Sequence, residues 1–328
     1  FALRTFLELE FGGVKNGDVI NTTTYDPDDP ATWTGVLWDL AGTEKVYAIN
    51  WFGVNVQGNL DISGFTEIET VIVENGDLSG IDVTGNTKLV SLIVNDNQLT
   101  SLDVTTCTAL EYLHISGNPL VSPNPGVIPV LDVSNNAALE LLYCNSCGLD
   151  SLDVSNNTEL MVLNCGQNSI DVLDVSLNTK LDELVCYANS LEVLNVDTNT
   201  VLTFLMCSGN QLETLDVSNN PLLTELYCAQ NLIEDFGTLG LVNNTELVNL
   251  DCFENALTEL NVDTNTKLTN LSLTHNQIET LSLTNNLLLL ELKCYNNLIE
   301  TLNVDLQTAL TSLECGDNLL TAIDVQYN

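Results

Sequence analysis

Two cysteines three residues apart, Cys144 and Cys147, have the C-x-x-C spacing of thiol redox sites and zinc sites. A redox pair needs an exposed thiol of lowered pKa, and a structural zinc ion needs four ligands that converge on one point. Eight of the ten cysteines recur at regular intervals instead: Cys144, Cys165, Cys186, Cys207, Cys228, Cys252, Cys294 and Cys315. This regular spacing favours a repeated structural position over a chemical site.

A unit of 21 residues organises most of the chain. It reads L-x-x-L-x-C-x-x-N-x-L-x-x-L-D-V-S-x-N-T-x, and we number its positions from the first leucine. Two steps are longer, 29 residues from Leu110 and 24 from Leu223, which predicts loops near Ser122 to Pro129 and Asp235 to Leu241. Units begin at Ile68, Leu89, Leu110, Leu139, Leu160, Leu181, Leu202, Leu223, Leu247, Leu268, Leu289 and Leu310.

The apolar positions 1, 4, 6, 11, 14 and 16 predict a solenoid, because no single unit buries them and stacked units do. The first eleven positions resemble the leucine-rich repeat across residues 46–328, in about 12 to 13 repeats. The resemblance implies a right-handed solenoid with a parallel sheet on its concave face. The alternating D-V-S segment and the short unit predict a mostly extended convex face. Residues 1–45 are predicted to form an N-terminal cap with a short helix, since Leu3, Phe6 and Leu7 share one helical face.

Short repeats with cysteine at position 6, followed by L-x-x-L-D-V-S-x-N-T, resemble the internalin family of bacterial surface proteins and its members with a cysteine ladder. The resemblance implies an extracellular or cell-surface location and a role in adhesion. The chain starts at Phe1 without an initiator methionine, a signal segment or a wall anchor, so we interpret it as a mature domain whose signal and anchoring segments are absent.

Position 6 is interpreted as a packing site, because Val73, Val94, Ile115 and Leu273 fill it in other units. Parallel neighbours repeat at roughly 4.8 Å, whereas a disulfide needs Cβ atoms about 3.8 Å apart, so we predict buried and unreactive thiols. Asparagine recurs at position 9 in ten units and at position 19 in nine, where its amide can bond backbone groups at the corners. Cys147 takes position 9 in one unit and Cys107 takes position 19 in another. A local disulfide between Cys144 and Cys147 stays open as an alternative.

Charge excludes several classes of partner. The chain has 45 acidic and 7 basic residues and a net charge of −38, which repels phosphate backbones and anionic lipid. We therefore predict no nucleic acid as a partner. No apolar run approaches the roughly 18 to 20 residues of a membrane span, so no membrane insertion is predicted, and a monomer is expected. The acidic loop 26–30 and the single acid in each D-V-S segment, such as Asp153, are interpreted as solvated, since no calcium-loop spacing is present. No metal and no other cofactor is predicted.

The leucine-rich repeat resemblance places positions 3, 5 and 7 on the concave face. Seven of the eight Tyr and Phe residues between Phe65 and Tyr327 occupy those positions, and only Phe236 does not. Aromatic side chains on strands suit binding as well as strand formation. The predicted ligand-binding residues are Tyr112, His114, Leu141, Tyr143, Val185, Tyr187, Phe204, Met206, Tyr227, Phe253 and Tyr295.

Catalysis is not predicted. The two histidines, His114 and His275, lie seven units apart and cannot share a metal or a triad, and no catalytic motif is found. We expect a non-catalytic recognition or adhesion module that binds a protein or carbohydrate ligand on a host or neighbouring surface. A structural spacer and an accessory substrate-binding domain of a secreted polysaccharide-degrading enzyme are the alternatives.

Overall fold

A computed structural model describes residues 2–21, 25–38, 45–120, 131–236 and 240–325. The predicted loop at Ser122 to Pro129 lies outside these ranges, and the loop at Asp235 to Leu241 is described only at its ends. The chain divides into two compact units, residues 1–160 with 164–169 and residues 161–163 with 170–328. The predicted boundary between a cap and the repeats at residue 45 stays a prediction.

The N-terminal residues pack a short helix over the start of the first unit. Helix α1 buries Leu3, Phe6 and Leu7, and the Phe6 ring stacks on Trp51 with centroids 5.6 Å apart. No helix in the described ranges is long and apolar enough to cross a membrane. The elements are α1 (Ala2–Leu7), β1 (Glu10–Phe11), β2 (Val14–Lys15), α2 (Asn16–Ile20), a 3₁₀ turn (Pro30–Thr32) and β3 (Val36–Trp38).

The first unit is built on a sheet whose strands follow chain order. Strand β3 pairs antiparallel with β4, and β4, β6, β8, β9 and β10 pair in parallel. Strands β5 and β7 form a separate parallel pair. The strands are β4 (Val46–Asn50), β5 (Gln57–Asp61), β6 (Thr70–Ile72), β7 (Asp77–Asp82), β8 (Ser91–Ile93), β9 (Tyr112–His114) and β10 (Leu141–Tyr143).

The second unit repeats the same pattern. Strands β12 to β18 pair in parallel and in chain order. They are β12 (Glu183–Val185), β13 (Phe204–Met206), β14 (Glu225–Tyr227), β15 (Asn249–Asp251), β16 (Asn270–Ser272), β17 (Glu291–Lys293) and β18 (Ser312–Glu314), and β11 (Val162–Asn164) contributes residues to both units.

Each repeat contributes one strand of three residues, positions 3 to 5 of the unit. In β10, Leu142 is buried while Leu141 and Tyr143 are partly exposed, and the central residue is buried in the other repeats except the last, where Leu313 is partly exposed. The remaining positions of the described repeats contain no helix, and the leucine, isoleucine and valine side chains at positions 1, 11, 14 and 16 are mostly buried. The predicted fold, a leucine-rich repeat solenoid of 21-residue units with a parallel sheet and a mostly extended opposite side, is confirmed.

Asparagine at position 9 bonds three backbone groups, as the side chain of Asn210 illustrates. Its Nδ2 donates to the carbonyl oxygens of Cys186 and Cys207, at 3.1 and 2.8 Å. Its Oδ1 accepts a hydrogen bond of 3.1 Å from the backbone N–H of Leu191 in the preceding repeat. This column therefore needs a side chain that both donates and accepts.

Asparagine at position 19 only donates. The Nδ2 of Asn220 bonds the carbonyl oxygens of Val196 and Asn199, at 3.0 and 2.9 Å, while its Oδ1 has no hydrogen-bond partner in the described part of the chain. A donor suffices here, which explains Cys107: its Sγ donates to the carbonyl oxygen of Val83 at 3.5 Å. The prediction that both columns bond backbone groups is confirmed.

Cys147 occupies the position 9 column without an acceptor, and the preceding repeat explains why. Its Sγ donates to the Ile115 carbonyl at 3.3 Å, as an asparagine would. The backbone N–H of Leu120, which an asparagine Oδ1 would accept, bonds the carbonyl oxygens of Asn118 and Cys147 instead. In this repeat backbone carbonyls thus take the place of the side-chain acceptor.

Cysteine is expected to destabilise the two asparagine columns unequally. Asn210→Cys leaves the buried N–H of Leu191 without an acceptor and is expected to lower the free energy of unfolding by about 2 to 4 kcal/mol. Asn220→Cys removes one donor and is expected to lower it by about 1 kcal/mol. Urea unfolding of both variants measures the difference. Equal losses would contradict the donor-only assignment of position 19.

Position 8 adopts the left-handed conformation throughout the repeats. Asn75, Asp96 and Asn296 have φ of 55°, 53° and 53°, and Gly117 and Gly209 have 70° and 67°. Ala188 has φ of 50° although its side chain offers no local hydrogen bond. This conformation at position 8 was not predicted, because residues with ordinary side chains occupy it in several repeats.

Neighbouring repeats offer a matched pair of substitutions at position 8. A left-handed backbone conformation costs a non-glycine residue about 1 to 2 kcal/mol. Glycine avoids this cost but loses about 0.4 to 1 kcal/mol more conformational entropy on folding, so the two effects partly cancel. Ala188→Gly is therefore expected to raise the free energy of unfolding by about 0.5 to 1 kcal/mol, and Gly209→Ala to lower it by a similar amount. A Cβ at Gly209 meets Ala188 atoms at 3.5 Å, an ordinary contact, so urea unfolding reports the backbone strain. Changes of the same sign would contradict this account.

Candidate functional site

The C-x-x-C pair is part of the packing, as predicted. Cys144 and Cys147 are fully buried, and all ten cysteines, each within the described ranges, are free thiols. Burial raises the pKa of Cys147 to about 11 and that of Cys165 to about 12. Such thiols stay protonated at neutral pH and are poor nucleophiles. Cys315 in the last repeat is the one cysteine that is partly exposed.

Thiol accessibility tests this assignment. A thiol reagent such as dithionitrobenzoate at pH 8 is expected to modify at most one thiol per native chain and ten in urea, because nine are buried. The variant Cys315→Ser is expected to reduce the native count to none. Two or more fast-reacting thiols in the native chain would contradict a buried ladder.

The acidic loop 26–30 directs its carboxylates to its own backbone and to one arginine. Asp26 Oδ1 accepts from the N–H of Asp28 at 2.9 Å, and Asp29 Oδ1 accepts from that of Ala31 at 3.1 Å. Asp28 forms an ion pair with Arg4 at 2.8 Å. These contacts are those of a solvated turn. Within the described ranges no three His, Cys, Asp or Glu residues are grouped closely enough to hold a metal ion.

The candidate site is the side of the sheet that points away from the core, which we call the sheet face. It consists of the side chains at positions 3 and 5 of each strand, with position 7 just beyond the strand. Tyr295 is exposed and the other predicted residues are partly exposed. Position 7 carries Tyr187, Phe253 and Tyr295, and positions 3 and 5 carry Tyr112, His114, Leu141, Tyr143, Val185, Phe204, Met206 and Tyr227.

Three predicted residues form an aromatic cluster in the first unit. The ring centroid of Tyr143 lies 5.8 Å from that of Tyr112, edge to face, and 5.2 Å from that of His114. Burial lowers the pKa of His114, more than nearby Asp96 raises it, so this imidazole is neutral at pH 7. The cluster therefore presents uncharged aromatic surface.

A second pair of rings lies in the second unit. The centroids of Phe204 and Tyr227 are 5.6 Å apart, and the Tyr227 hydroxyl donates to Glu225 Oε2 at 2.6 Å. Burial and this hydrogen bond raise the pKa of Tyr227 to about 12. The phenol is therefore neutral, and its proton is directed at the Glu225 carboxylate.

The other predicted aromatic residues do not join these clusters. Tyr187 and Phe253 have no ring partner in the described part of the second unit. Tyr295 contacts the His275 ring at a centroid distance of 5.7 Å, and its hydroxyl donates to the Asp317 carboxylate. His275, at position 8, was not among the predicted site residues.

Further residues of the sheet face were missed because the sequence search counted aromatic residues. Ile72 and Ile93 occupy position 5 in the first unit, and Leu37 on β3 is 62% exposed. In the second unit, Asp251 and Lys293 line a shallow depression beside Tyr227. Aliphatic residues at position 5 were a usable sequence signal, whereas a depression depends on the sizes of neighbouring side chains.

The two units differ in the charge of the sheet face. In the first unit, positions 3 and 5 of β6, β8, β9 and β10 carry no charged residue. In the second, the same positions of β12 to β18 carry the carboxylates of Glu183, Glu225, Asp251, Glu291 and Glu314 and the ammonium of Lys293. At positions 3 and 5 the first unit thus presents uncharged surface and the second presents aromatic surface among carboxylates.

Solved structures with this architecture are leucine-rich repeat proteins. No protein-family model and no curated protein matches the chain. The functional domain of InlJ from Listeria monocytogenes, which includes a cysteine ladder, is 29% identical with a TM-score of 0.64 over 85% of this chain and 69% of that chain. The internalin InlF from the same organism is 24% identical, with a TM-score of 0.68 over 83% and 82% of the two chains.

A third structure extends the comparison beyond bacteria. The plant peptide hormone receptor RGFR1, solved in complex with RGF2, is 17% identical with a TM-score of 0.72 over 83% of this chain and 47% of that chain. At this identity the likeness shows the fold alone. With its buried cysteine column and 21-residue repeats, the chain has the leucine-rich repeat fold, and its structural neighbours include internalins, InlJ with its cysteine ladder among them.

Proposed function

We propose that the chain is a non-catalytic recognition module that binds a protein partner through the sheet face, in an extracellular or cell-surface setting. The observation that carries the proposal is the pair of aromatic clusters, Tyr112 with Tyr143 and His114, and Phe204 with Tyr227. These rings are partly exposed on the outward side of paired strands, where they contact one another.

Rigid aromatic anchors suit protein recognition. A half-buried ring loses little conformational freedom when a partner covers it, so more of the contact energy contributes to affinity. Tyrosine in particular offers apolar area together with a hydroxyl at its rim. The internalin neighbours support a recognition role, and the receptor RGFR1, solved with RGF2, is a protein of this fold bound to a partner.

The titratable groups of the sheet face support binding over catalysis. Tyr227 bonds Glu225, and Lys293 Nζ forms an ion pair with Glu291 Oε1 at 2.9 Å. The neutral His114 packs against tyrosine rings. Groups engaged with each other in this way stabilise the surface and do not converge on a reacting atom.

A random 15-residue peptide library displayed on phage provides a defined probe of the sheet face. Peptides selected on the wild-type chain are measured against two double variants, Tyr112→Ala/Tyr143→Ala and Phe204→Ala/Tyr227→Ala. At least one is expected to weaken binding of most selected peptides by about 30-fold or more, since an interface anchor contributes about 2 kcal/mol or more.

The matched control is Phe52→Ala, which removes an aromatic ring that is 70% exposed in the turn after β4. It is expected to leave binding unchanged, and thermal unfolding checks that all variants fold. If the selected peptides bind both double variants as well as the wild type, or if no peptide is enriched, the proposal is wrong and a spacer role is favoured.

A further inference from the structure

On the sheet face of the second unit, one aromatic side chain has carboxylates on two sides, an arrangement that partner binding in general does not require. Tyr227 lies between two carboxylates: Glu225 is two residues earlier on β14, and Asp251 is its direct neighbour on β15. Adjacent strands are roughly 4.8 Å apart, so both carboxylates lie within reach of a group placed on the Tyr227 ring.

Uncharged groups donate hydrogen bonds to the carboxylates of Glu225 and Asp251. The hydrogen bond from Tyr227 orients the Glu225 carboxylate without neutralising it. Asp251 Oδ1 accepts a weak backbone hydrogen bond from Phe253 at 3.3 Å. Lys293, the basic residue of this part of the face, forms its ion pair with Glu291. Lys293 lines the same depression as Asp251 and Tyr227, but the three carboxylates of Glu225, Asp251 and Glu291 outnumber its one ammonium, so the surroundings of Tyr227 carry a net negative charge.

The shape of the surface beside Tyr227 also suits a long side chain. The depression beside Tyr227 is lined by the short side chains of Asn249, Asn270 and Ser272 and by the charged side chains of Asp251, Glu291 and Lys293. The Phe204 ring, tilted by 43° against that of Tyr227, closes the other side. A long side chain can thus enter along the depression and lie against an aromatic ring with carboxylates on two sides.

We propose that this place, formed by Phe204, Glu225, Tyr227 and Asp251, is a subsite for an arginine side chain of the partner protein. A guanidinium stacks on an aromatic ring and donates from several N–H groups in one plane, which matches a ring flanked by two carboxylates. Lysine supplies a point charge and cannot satisfy the ring and both carboxylates together. This inference rests on the proposed function, since it names what the partner inserts.

Matched peptides test the subsite directly. The probes are acetyl-Gly-Leu-Arg-Leu-Gly-amide and the same peptide with citrulline, which keeps the shape of arginine and removes its charge. We expect the arginine peptide to bind the wild-type chain about 10-fold more tightly, measured by NMR titration at low salt. Asp251→Asn is expected to remove most of this preference, and a lysine peptide is expected to bind less tightly than the arginine peptide.

The control Asp171→Asn makes the same charge change at an exposed position away from the sheet face and is expected to keep the preference. Equal binding of the arginine and citrulline peptides to the wild type, or a preference that survives in Asp251→Asn, overturns the subsite. If both peptides bind equally and Phe204→Ala/Tyr227→Ala abolishes both, the sheet face still binds partners and only the arginine subsite is wrong. If that double variant changes neither peptide's binding, this part of the sheet face binds neither, and the proposed function loses this surface as well.

Discussion

The fold depends on bonding the backbone at the corners of a repeat whose strand is only three residues long. Most backbone groups of a 21-residue unit lie outside the strands. Many of them bond the backbone of the neighbouring repeat, as the N–H of Cys186 bonds the carbonyl oxygen of Met206 at 2.8 Å, but some buried groups at the corners have no such partner. The asparagine columns at positions 9 and 19 supply these partners in nearly every repeat, as Asn210 and Asn220 show. Because each asparagine reaches into the preceding repeat, the columns fix the spacing as well as the shape of each turn.

The columns also decide where the chain can change length. Both long steps place their extra residues after position 11, beyond the reach of the position 9 column: Asn255 Oδ1 still accepts from the N–H of Ile233 at 3.0 Å across one of them. The strands on either side stay in register, so Tyr112 faces Leu141 and Glu225 faces Asn249. Insertions therefore leave the sheet face intact, and its side chains can vary without disturbing the repeat.

The sequence predicted the features that recur at the same position in every repeat. It missed those that depend on contacts between particular side chains of adjacent repeats. The period, the inward positions and both asparagine columns follow from the residue types that recur. The left-handed position 8 was hidden because its strain, about 1 kcal/mol, is small enough for Ala188 and His275 to tolerate. The contact between Phe204 and Tyr227 joins different positions of adjacent repeats, and a search for identical columns does not reveal it. Which face carries the aromatic residues was predictable, whereas their grouping required the distances between strands and the side-chain orientations.

The cysteine ladder shows why packing and reactivity exclude each other at position 6. Cysteine resembles valine in size, and it adds a weak donor, as when Cys252 Sγ bonds the carbonyl oxygen of Ser272 at 3.5 Å. A thiolate at this position would be a buried charge without a counter-ion, and burial raises the pKa of Cys207 to about 12 for that reason. The burial that makes a cysteine useful to the core therefore removes the thiolate on which redox and zinc chemistry depend. Interactions with a partner therefore depend on the sheet face, where the side chains are exposed to solvent and the repeat does not restrict the residue type.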